Sequence, residues 1–157
     1  MRVGIGFDVH QFDESRPLIL AGVLFPEAPG LAGHSDADVI CHAVADAVLG
    51  AAGLGDIGEY FPSDAPEWKD ASSLVLLGRV GEIVREAGYR VSSVDAVVLL
   101  EAPKIGAFRD EMRRNLGRAL DTDAIGVKAT TTDGLGSVGR GEGAACMAVA
   151  LVEPIDG

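Results

Sequence analysis

The sequence has 157 residues, a length that predicts a single domain over residues 1–157. Its formal net charge of −11 argues against sequence-independent binding to nucleic acid, which requires a basic surface. Two cysteines without a short spacing, no apolar run of membrane-spanning length and no signal-peptide pattern predict a cytoplasmic protein with reduced, buried thiols and no disulfide framework.

Strands are predicted at the start of the chain. Apolar residues alternate with glycines over residues 3–7, and this period of two predicts a strand that runs to residues 8–10. Residues 18–25 are largely apolar around Gly22 and predict either a hairpin or two short strands. The prolines and glycines of residues 26–33 predict a loop.

Two helices are predicted next. A helix with a broad apolar stripe is expected to begin at a cap in residues 35–36 and to end near residues 50–53. Glycines and prolines in residues 54–69 predict a loop. A second helix is expected from a serine cap at residues 72–73 to Gly88.

The second half of the chain alternates between strands and a helix. Strands are predicted over residues 91–100, 125–131 and 144–152, with a helix over residues 108–120 and a glycine-rich loop over residues 133–143. The element order predicts an α+β fold: a two-layer, ferredoxin-like sandwich in which a mixed sheet of four or slightly more strands carries three helices on one face.

The second face of that sheet is expected to be apolar. Residues 94–100 and 144–152 are apolar on both sides of their strands, so the face without helices needs a cover. A neighbouring subunit is the simplest cover, and the pattern therefore favours an oligomer.

Three residues suggest a metal site. Asp8 and His10 are two positions apart at a strand end and point to the same side of an extended backbone. Together with His42 they offer a carboxylate and two imidazoles, a ligand set that zinc accepts and that leaves one position open for a substrate. An Asp-x-His pair by itself is more often a capping or surface pair, so the pattern leaves both interpretations open.

The helix that carries His42 has an acidic strip. Asp38, His42 and Asp46 are spaced by four and share one helix face. A metal-bound imidazole usually donates its second N–H to a carboxylate, so Asp38 or Asp46 is the expected partner of His42. The alternative is a polar face in water, although the helix is otherwise apolar.

Several segments offer groups for phosphate. Residues 34–35 stand at a helix start, which favours anions, although a plain N-cap also explains them. Lys104 follows a strand, and Thr130–Thr132 lead into a glycine-rich loop; ordinary strand propensity explains the threonines equally well. Arg140 and Glu142 lie between glycines and predict either a fixed anion site or a turn with a surface ion pair.

Eight segments, in order along nearly the whole chain, together resemble the cyclodiphosphate synthase family of the methylerythritol phosphate route to isoprenoids. They are Gly6-Phe7-Asp8-Val9-His10, His34-Ser35-Asp36-Ala37-Asp38-Val39, His42 with Asp46, Gly55-Asp56-Ile57-Gly58, Phe61-Pro62, Ala102-Pro103-Lys104, Lys128-Ala129-Thr130-Thr131-Thr132 and Gly139-Arg140-Gly141-Glu142-Gly143. Each segment is modest alone, but the ordered set is highly specific.

The resemblance implies a lyase that converts 4-diphosphocytidyl-2-C-methyl-D-erythritol 2-phosphate to 2-C-methyl-D-erythritol 2,4-cyclodiphosphate and releases CMP. It also implies one zinc ion per subunit, a second divalent cation (magnesium or manganese) and a homotrimer with active sites between subunits. An isoprenoid diphosphate in a central channel, near Arg140 and Glu142, is a side hypothesis of the same resemblance.

The resemblance further implies roles for individual residues. The zinc ligands are Asp8, His10 and His42, and Asp133 is a ligand of the second cation. The catalytic residues are Asp8, His10, His42, Lys104, Thr131 and Asp133. The substrate contacts are His34, Ser35, Asp56, Ile57, Gly58, Phe61, Pro62, Ser63, Asp64, Ala65, Leu100, Ala102, Pro103, Lys104, Ile105, Gly106, Thr130, Thr131, Thr132, Asp133 and Arg140.

Two positions depart from the family pattern. Asp133 stands where a glutamate is expected, and Ser137 stands where an aromatic residue is expected. Two other functions remain open on the residues alone: a metal-dependent phosphohydrolase or nucleotidyl enzyme using the same site, and a non-enzymatic trimeric binding protein with a structural metal.

Overall fold

The computed structural model describes residues 1–155, and residues 156–157 of the predicted domain lie outside the described part. The strands are β1 (Arg2–Leu20), β2 (Val23–Leu31), β3 (Tyr89–Leu99), β4 (Ile125–Thr130) and β5 (Gly143–Pro154). The helices are α1 (Val39–Ala52), α2 (Ile57–Tyr60), α3 (Ser73–Glu86), α4 (Arg109–Leu120) and α5 (Gly136–Gly139).

The described residues form one five-stranded mixed sheet in the order β2-β1-β5-β3-β4. Strands β3 and β4 run parallel, and the other neighbouring pairs run antiparallel. The long helices α1, α3 and α4 pack together on one face. The predicted two-layer α+β sandwich is therefore confirmed, with β3 in the sheet interior as its apolar sequence indicates.

Glycines in β1 allow α1 to lie directly on the sheet. A side-chain carbon added at Gly4 would lie 2.1 Å from the carbonyl oxygen of Ala47, and one added at Gly6 would lie 1.9 Å from that of Ala43. Since only glycine lets two backbones come this close, the two positions set how deeply α1 packs. The stretch of β1 that follows, with Asp8 and His10, thereby lies beside the first turn of α1, where Asp8 contacts His42.

The hairpin predicted over residues 18–25 is confirmed, but the loop predicted over residues 26–33 is wrong for most of its length. β2 continues to Leu31 and pairs with β1 through Leu31 opposite Phe12. Its prolines are compatible with a strand because β2 is an edge of the sheet and one side of its backbone needs no partner.

The first predicted helix begins later than expected. Asp38, not residue 35 or 36, is the N-cap of α1, and its side chain accepts a hydrogen bond from the backbone N–H of Cys41. The segment before it pairs with residues 70–71 instead: Asp36 N–H donates to Ala71 at 3.0 Å, and Asp70 N–H donates to His34 at 2.8 Å. This tertiary pairing keeps residues 34–36 out of the helix.

The first strand was predicted to end at residues 8–10, which is wrong: β1 continues to Leu20 because its second half pairs with β2. The remaining elements match their predictions within one or two residues. Ser72 caps α3, and Gly88 follows its end with a φ of 86°. The predicted loops over residues 54–69 and 133–143 hold the short helices α2 and α5. Cys41 and Cys146 are buried free thiols, as expected, and burial raises the pKa of both.

The face of the sheet opposite the helices is apolar and bare in the single chain. Val3, Ile5, Phe7 and Val9 of β1 are 53% to 68% exposed, and Met147 and Val149 of β5 extend the same surface. This confirms the expectation of an apolar face without its own cover. Among the described residues, no helix has both the length and the apolar character needed to cross a membrane.

Candidate active site

Asp8, His10 and His42 meet, as their pattern predicts, but in the middle of β1 rather than at its end. Oδ2 of Asp8 lies 2.7 Å from Nε2 of His10 and 3.0 Å from Nδ1 of His42. The two imidazole nitrogens are 3.1 Å apart. Among the described residues, this is the one group of three or more histidine, cysteine or acidic side chains arranged to hold a metal ion.

The other hydrogen bonds of the two imidazoles determine which nitrogens can bind a cation. Nδ1 of His10 lies 2.6 Å from the carbonyl oxygen of Ala32, which only accepts, so Nδ1 carries the proton and Nε2 presents a lone pair. Nε2 of His42 faces hydroxyl groups, and its proton directed there leaves the lone pair of Nδ1 facing Asp8. Three acceptor atoms thus converge, and either extra protons or a cation must lie between them.

The electrostatics of the cluster are those of a cation site. Burial alone would raise the pKa of Asp8, but hydrogen bonds and charge from His10 and His42 outweigh it and hold the pKa at about 2. Burial works against protonation of His10, yet the contact with the Asp8 carboxylate raises its pKa above the ordinary value. An ionised carboxylate between two imidazoles fits zinc, and three protein ligands leave a coordination position open.

The prediction that Asp38 or Asp46 is the carboxylate partner of His42 is wrong for both residues. Nε2 of His42 lies 2.9 Å from Oγ of Ser73 and 3.1 Å from Oγ of Ser35. Serine hydroxyls from two other segments therefore occupy the place that Asp38 or Asp46 was expected to fill. The one signal for Ser73 in the sequence is its position at a helix start, and that signal indicates only a cap.

Asp38 is instead a buried structural group. Its carboxylate accepts hydrogen bonds from the backbone N–H groups of Ala21, Gly22 and Cys41, at 2.9, 2.8 and 3.2 Å. Burial raises the pKa of Asp38, the neighbouring charge of Asp36 adds to that rise, and the N–H groups oppose it. The residue joins the β1–β2 turn to the start of α1.

Asp46 connects α1 to the segment that the resemblance assigns to the methylerythritol moiety. Its Oδ1 accepts a hydrogen bond of 2.8 Å from the backbone N–H of Ile57. Asp56 caps α2, and both it and Gly58 are exposed. The next segment, residues 61–65, packs through Phe61 against the ring of Trp68 at 5.0 Å.

His34 contacts that same segment. Its Nε2 lies 2.9 Å from the carbonyl oxygen of Ala65, so one imidazole nitrogen is engaged and the ring is held beside residues 61–65. Ser35 is buried next to His42. Residues 34–35 thus connect Ala65 on one side to His42 of the metal cluster on the other.

A surface pocket, separate from the metal cluster, forms where the parallel strands β3 and β4 end. It is lined by Leu100, Glu101, Pro103, Lys104, Ile105, Gly106, Arg109, Ala129, Thr130 and Thr131. Lys104 is exposed there, while Ile105 and Leu100 are buried and anchor the loop. None of the three metal-cluster residues lines this pocket.

Glu101 is a residue of this region that the sequence analysis missed. Its Oε1 accepts a hydrogen bond of 2.9 Å from the backbone N–H of Thr132. The Thr132 hydroxyl is 3.2 Å from the same oxygen but closer, at 2.7 Å, to the carbonyl oxygen of Leu135. It therefore fastens the threonine loop to the end of β3. Asp133 has a φ of 52° and contacts only the Thr131 side chain, 3.4 Å away, among the hydrogen bonds of the described residues.

Arg140 and Glu142 form an exposed ion pair in which guanidinium and carboxylate atoms are 2.8 Å apart. Both line a groove with Val9, His10 and residues of the β5 start. Of the two interpretations that the sequence left open, this geometry matches the turn with a surface ion pair. The Arg140 guanidinium is still exposed to solvent on one side.

The chain is similar to known proteins over almost its whole length. The profile of the YgbB family matches residues 1–153. The 2-C-methyl-D-erythritol 2,4-cyclodiphosphate synthase of Salinibacter ruber is 58% identical over 155 residues, which cover 98% of this chain and 99% of that protein. The enzyme of the same name from Chlorobium phaeovibrioides is 56% identical, with coverage of 98% and 99%.

Solved structures agree with these relatives. The bifunctional IspDF of Campylobacter jejuni matches with a TM-score of 0.94 and 45% identity over 99% of this chain, which spans only 42% of that longer protein. The CDP complex of IspF from Plasmodium falciparum matches with a TM-score of 0.84 and 32% identity, covering 99% of this chain and 97% of that one.

Proposed function

The chain belongs to the YgbB family of 2-C-methyl-D-erythritol 2,4-cyclodiphosphate synthases, and we propose that it performs their cyclisation at a zinc centre held by Asp8, His10 and His42. It is a lyase of isoprenoid precursor synthesis that converts 4-diphosphocytidyl-2-C-methyl-D-erythritol 2-phosphate to 2-C-methyl-D-erythritol 2,4-cyclodiphosphate and CMP. The observation that carries the zinc centre is the convergence of three acceptor atoms at 2.7 to 3.1 Å.

The reaction needs no general base from the protein. The 2-phosphate of the substrate is already an anion and attacks the β-phosphate of the same molecule, and CMP leaves. The difficulty is repulsion between anions that must come together, so positioning and charge stabilisation supply the catalysis. The residues around the metal cluster are suited to that task because they are fixed by hydrogen bonds within the fold.

A divalent cation supplies Lewis-acid stabilisation of negative charge on phosphoryl oxygens when it is bound. The protein side chains do the positioning. His34, held by Ala65, and Ser35 are proposed to hold phosphate and sugar-alcohol oxygens near the cluster. Residues 56–58, which Asp46 ties to α1, are proposed to hold the methylerythritol moiety, and residues 61–65 to line its side.

The pocket at the ends of β3 and β4 is proposed to take the cytidine diphosphate part of the substrate. The exposed ammonium of Lys104 is available to a phosphate, and Thr130 and Thr131 present hydroxyls along the same wall. The CDP complex of the Plasmodium falciparum relative supports a nucleotide-binding role for this family. These groups stabilise charge on the α- and β-phosphates as the P–O bond to CMP breaks.

A second divalent cation, magnesium or manganese, is proposed near Asp133. One exposed carboxylate is too few for a protein-only site, but magnesium is commonly bound by one or two carboxylates together with substrate phosphates and water. The shorter side chain of Asp133, compared with the expected glutamate, favours contact through a water molecule.

A homotrimer is proposed as the working form. The bare apolar face of β1 and β5 needs a cover, and the metal cluster and the proposed nucleotide pocket are separate within one chain. The family resemblance implies active sites between subunits, in which one subunit's pocket and another's metal cluster would act on the same substrate. Sedimentation of the native protein should give three times the chain mass of 16.2 kDa, and Ile5→Glu should lower it.

Two further proposals follow from the sequence. Residues 1–157 are proposed to act as one domain, in the cytoplasm, where the buried thiols remain reduced.

An isoprenoid diphosphate is proposed as a ligand near Arg140, whose side chain is 63% exposed beside Glu142. Titration calorimetry with geranyl or farnesyl diphosphate tests it, and absence of heat would remove it.

One assay separates the proposed activity from its rivals. Phosphorus NMR of the zinc-loaded protein with the substrate should show a cyclic diphosphate together with CMP. Inorganic phosphate as the product would instead identify a phosphohydrolase, and no turnover would favour a binding protein. Metal analysis of the purified protein should find about one zinc ion per chain, since a three-ligand site binds one ion.

A further inference from the structure

We propose that Ser73, held by Asp36, is a positioning residue that orients His42 as a ligand of the metal. The inference rests on the metal centre of the proposed function. Ser73 is the first residue of α3 and is 1% exposed. Its Oγ lies 2.9 Å from Nε2 of His42, on the opposite side of the imidazole from Asp8.

The hydrogen bonds around Ser73 have one consistent direction. Its hydroxyl and its backbone N–H both face the carboxylate of Asp36, which can only accept: the hydroxyl contacts Oδ1, and the N–H donates to Oδ2 at 3.1 Å. Because the hydroxyl proton is given to Asp36, the lone pairs of Oγ face His42. Ser73 therefore accepts a hydrogen bond from the N–H at Nε2, and Nδ1 of His42 keeps the lone pair that a metal requires.

Asp36 is itself fixed from three directions. Its backbone N–H donates to Ala71 at 3.0 Å, and its Oδ1 also accepts from the N–H of Asp38 at 3.1 Å. The carboxylate thus joins the segment before α1 to the start of α3. Because Asp36 binds both the hydroxyl and the backbone N–H of Ser73, the Ser73 side chain cannot rotate away from His42. The plane of the His42 imidazole is therefore set before any metal binds.

Ser35 does not offer the same function. Its Oγ lies 3.1 Å from Nε2 of His42, but it also accepts a hydrogen bond from the N–H of Ala37 at 3.2 Å, and its hydrogen bonds among the described residues do not include the Asp36 carboxylate. The remaining partner of its hydroxyl is Oγ of Ser73, 3.2 Å away, so Ser35 reaches Asp36 only through Ser73. Among the described residues, Ser73 is the side chain that links Nε2 of His42 to a carboxylate, an arrangement typical of the outer partners of metal-bound histidine.

The test is metal affinity in the full-length protein, measured by competition for zinc with a chromophoric chelator at constant pH. Ser73→Ala should bind zinc about 10- to 100-fold more weakly than the wild type, the usual loss when such an outer partner is removed. Ser73→Thr, which keeps the hydroxyl, should stay closer to the wild type. The visible spectrum of the cobalt-substituted protein should change in Ser73→Ala, because the imidazole plane is no longer held.

Ser72→Ala is the matched control. It removes the hydroxyl of the neighbouring exposed serine, which caps α3 through Val75 and makes no hydrogen bond to His42. A loss of zinc affinity in Ser72→Ala equal to that in Ser73→Ala would overturn the proposal, because helix stability would then explain both. Equal weakening in Ser73→Thr and Ser73→Ala would also overturn it, since the hydroxyl would not matter.

Wild-type affinity in a folded Ser73→Ala protein would contradict the inference and leave the metal centre intact. Failure of the wild type to bind zinc would instead remove the proposed function itself. Should Ser73→Ala fail to fold, Asp36→Asn provides the second variant, because it leaves Ser73 in place and weakens only the carboxylate that holds it. Asp36→Asn is expected to lower zinc affinity, and unchanged affinity would overturn the proposal.

Discussion

The metal cluster and the proposed nucleotide pocket lie in the same chain but are built in opposite ways. Around Asp8, His10 and His42, side chains are at least half-buried, and each ring nitrogen has a partner within the fold. Around Lys104 and Asp133, the side chains are exposed and their cationic and anionic groups face solvent.

The difference shows which part of the reaction each region can prepare in advance. Buried hydrogen bonds fix the metal ligands before substrate arrives, so the electrostatic field is already in place. The exposed loops gain their partners only when a nucleotide, a cation or another subunit is present. Substitutions in the first region should therefore affect metal binding or folding, and those in the second should affect substrate kinetics alone.

His42→Ala should have the largest effect. Loss of the imidazole should remove zinc and lower CMP release by at least about 1000-fold, since metal stabilisation of a phosphoryl transition state is worth several kcal/mol. The protein should remain folded by circular dichroism. Retained turnover in metal-free His42→Ala protein would contradict the distinction between the two regions. The metal cluster would then be no more essential for catalysis than the exposed loops around Lys104 and Asp133.

Asp38→Ala should have the next largest effect, on stability. Three backbone N–H groups, of Ala21, Gly22 and Cys41, lose their acceptor, and the free energy of unfolding should fall by about 3 kcal/mol or more. Urea denaturation of the metal-free protein at fixed subunit concentration measures this loss. Asp38→Asn keeps one acceptor oxygen and should lose less; equal losses would show that charge, rather than hydrogen bonding, is responsible.

Lys104→Ala should affect catalysis without affecting the metal. Removing one charged contact to a phosphate costs about 1.5–3 kcal/mol, so kcat/KM for CMP release should fall about 10- to 100-fold. Zinc content and thermal stability should match the wild type because Lys104 is exposed. A simultaneous loss of zinc would show that the two regions are coupled within the chain.

Glu101→Ala should have the smallest effect. The carboxylate holds the threonine loop through Thr132, but it is exposed, and such hydrogen bonds contribute about 1 kcal/mol. The KM for substrate should rise about fivefold, with no change in zinc affinity. A stability loss as large as that of Asp38→Ala would contradict the distinction between a buried and an exposed acidic anchor.

The sequence predicted the strands and the three long helices because their patterns are local. A period of two or of 3.6 shows which face of an element is buried, and caps and glycines mark the ends. The extension of β2 through two prolines was missed because only its position at the sheet edge makes those prolines acceptable. The start of α1 was misplaced because residues 34–36 pair with a segment more than thirty residues away.

The sequence by itself determined the fold class, the family resemblance and the three metal-ligand candidates, since these depend on residue type, spacing and order along the chain. Only the tertiary structure decided that Ser73 contacts His42, that Asp38 supports a turn and that Glu101 holds the threonine loop. Hydrogen bonds have direction and a reach of about 3 Å. Their partners are therefore fixed by how distant segments pack, and a helix face in the sequence does not specify them.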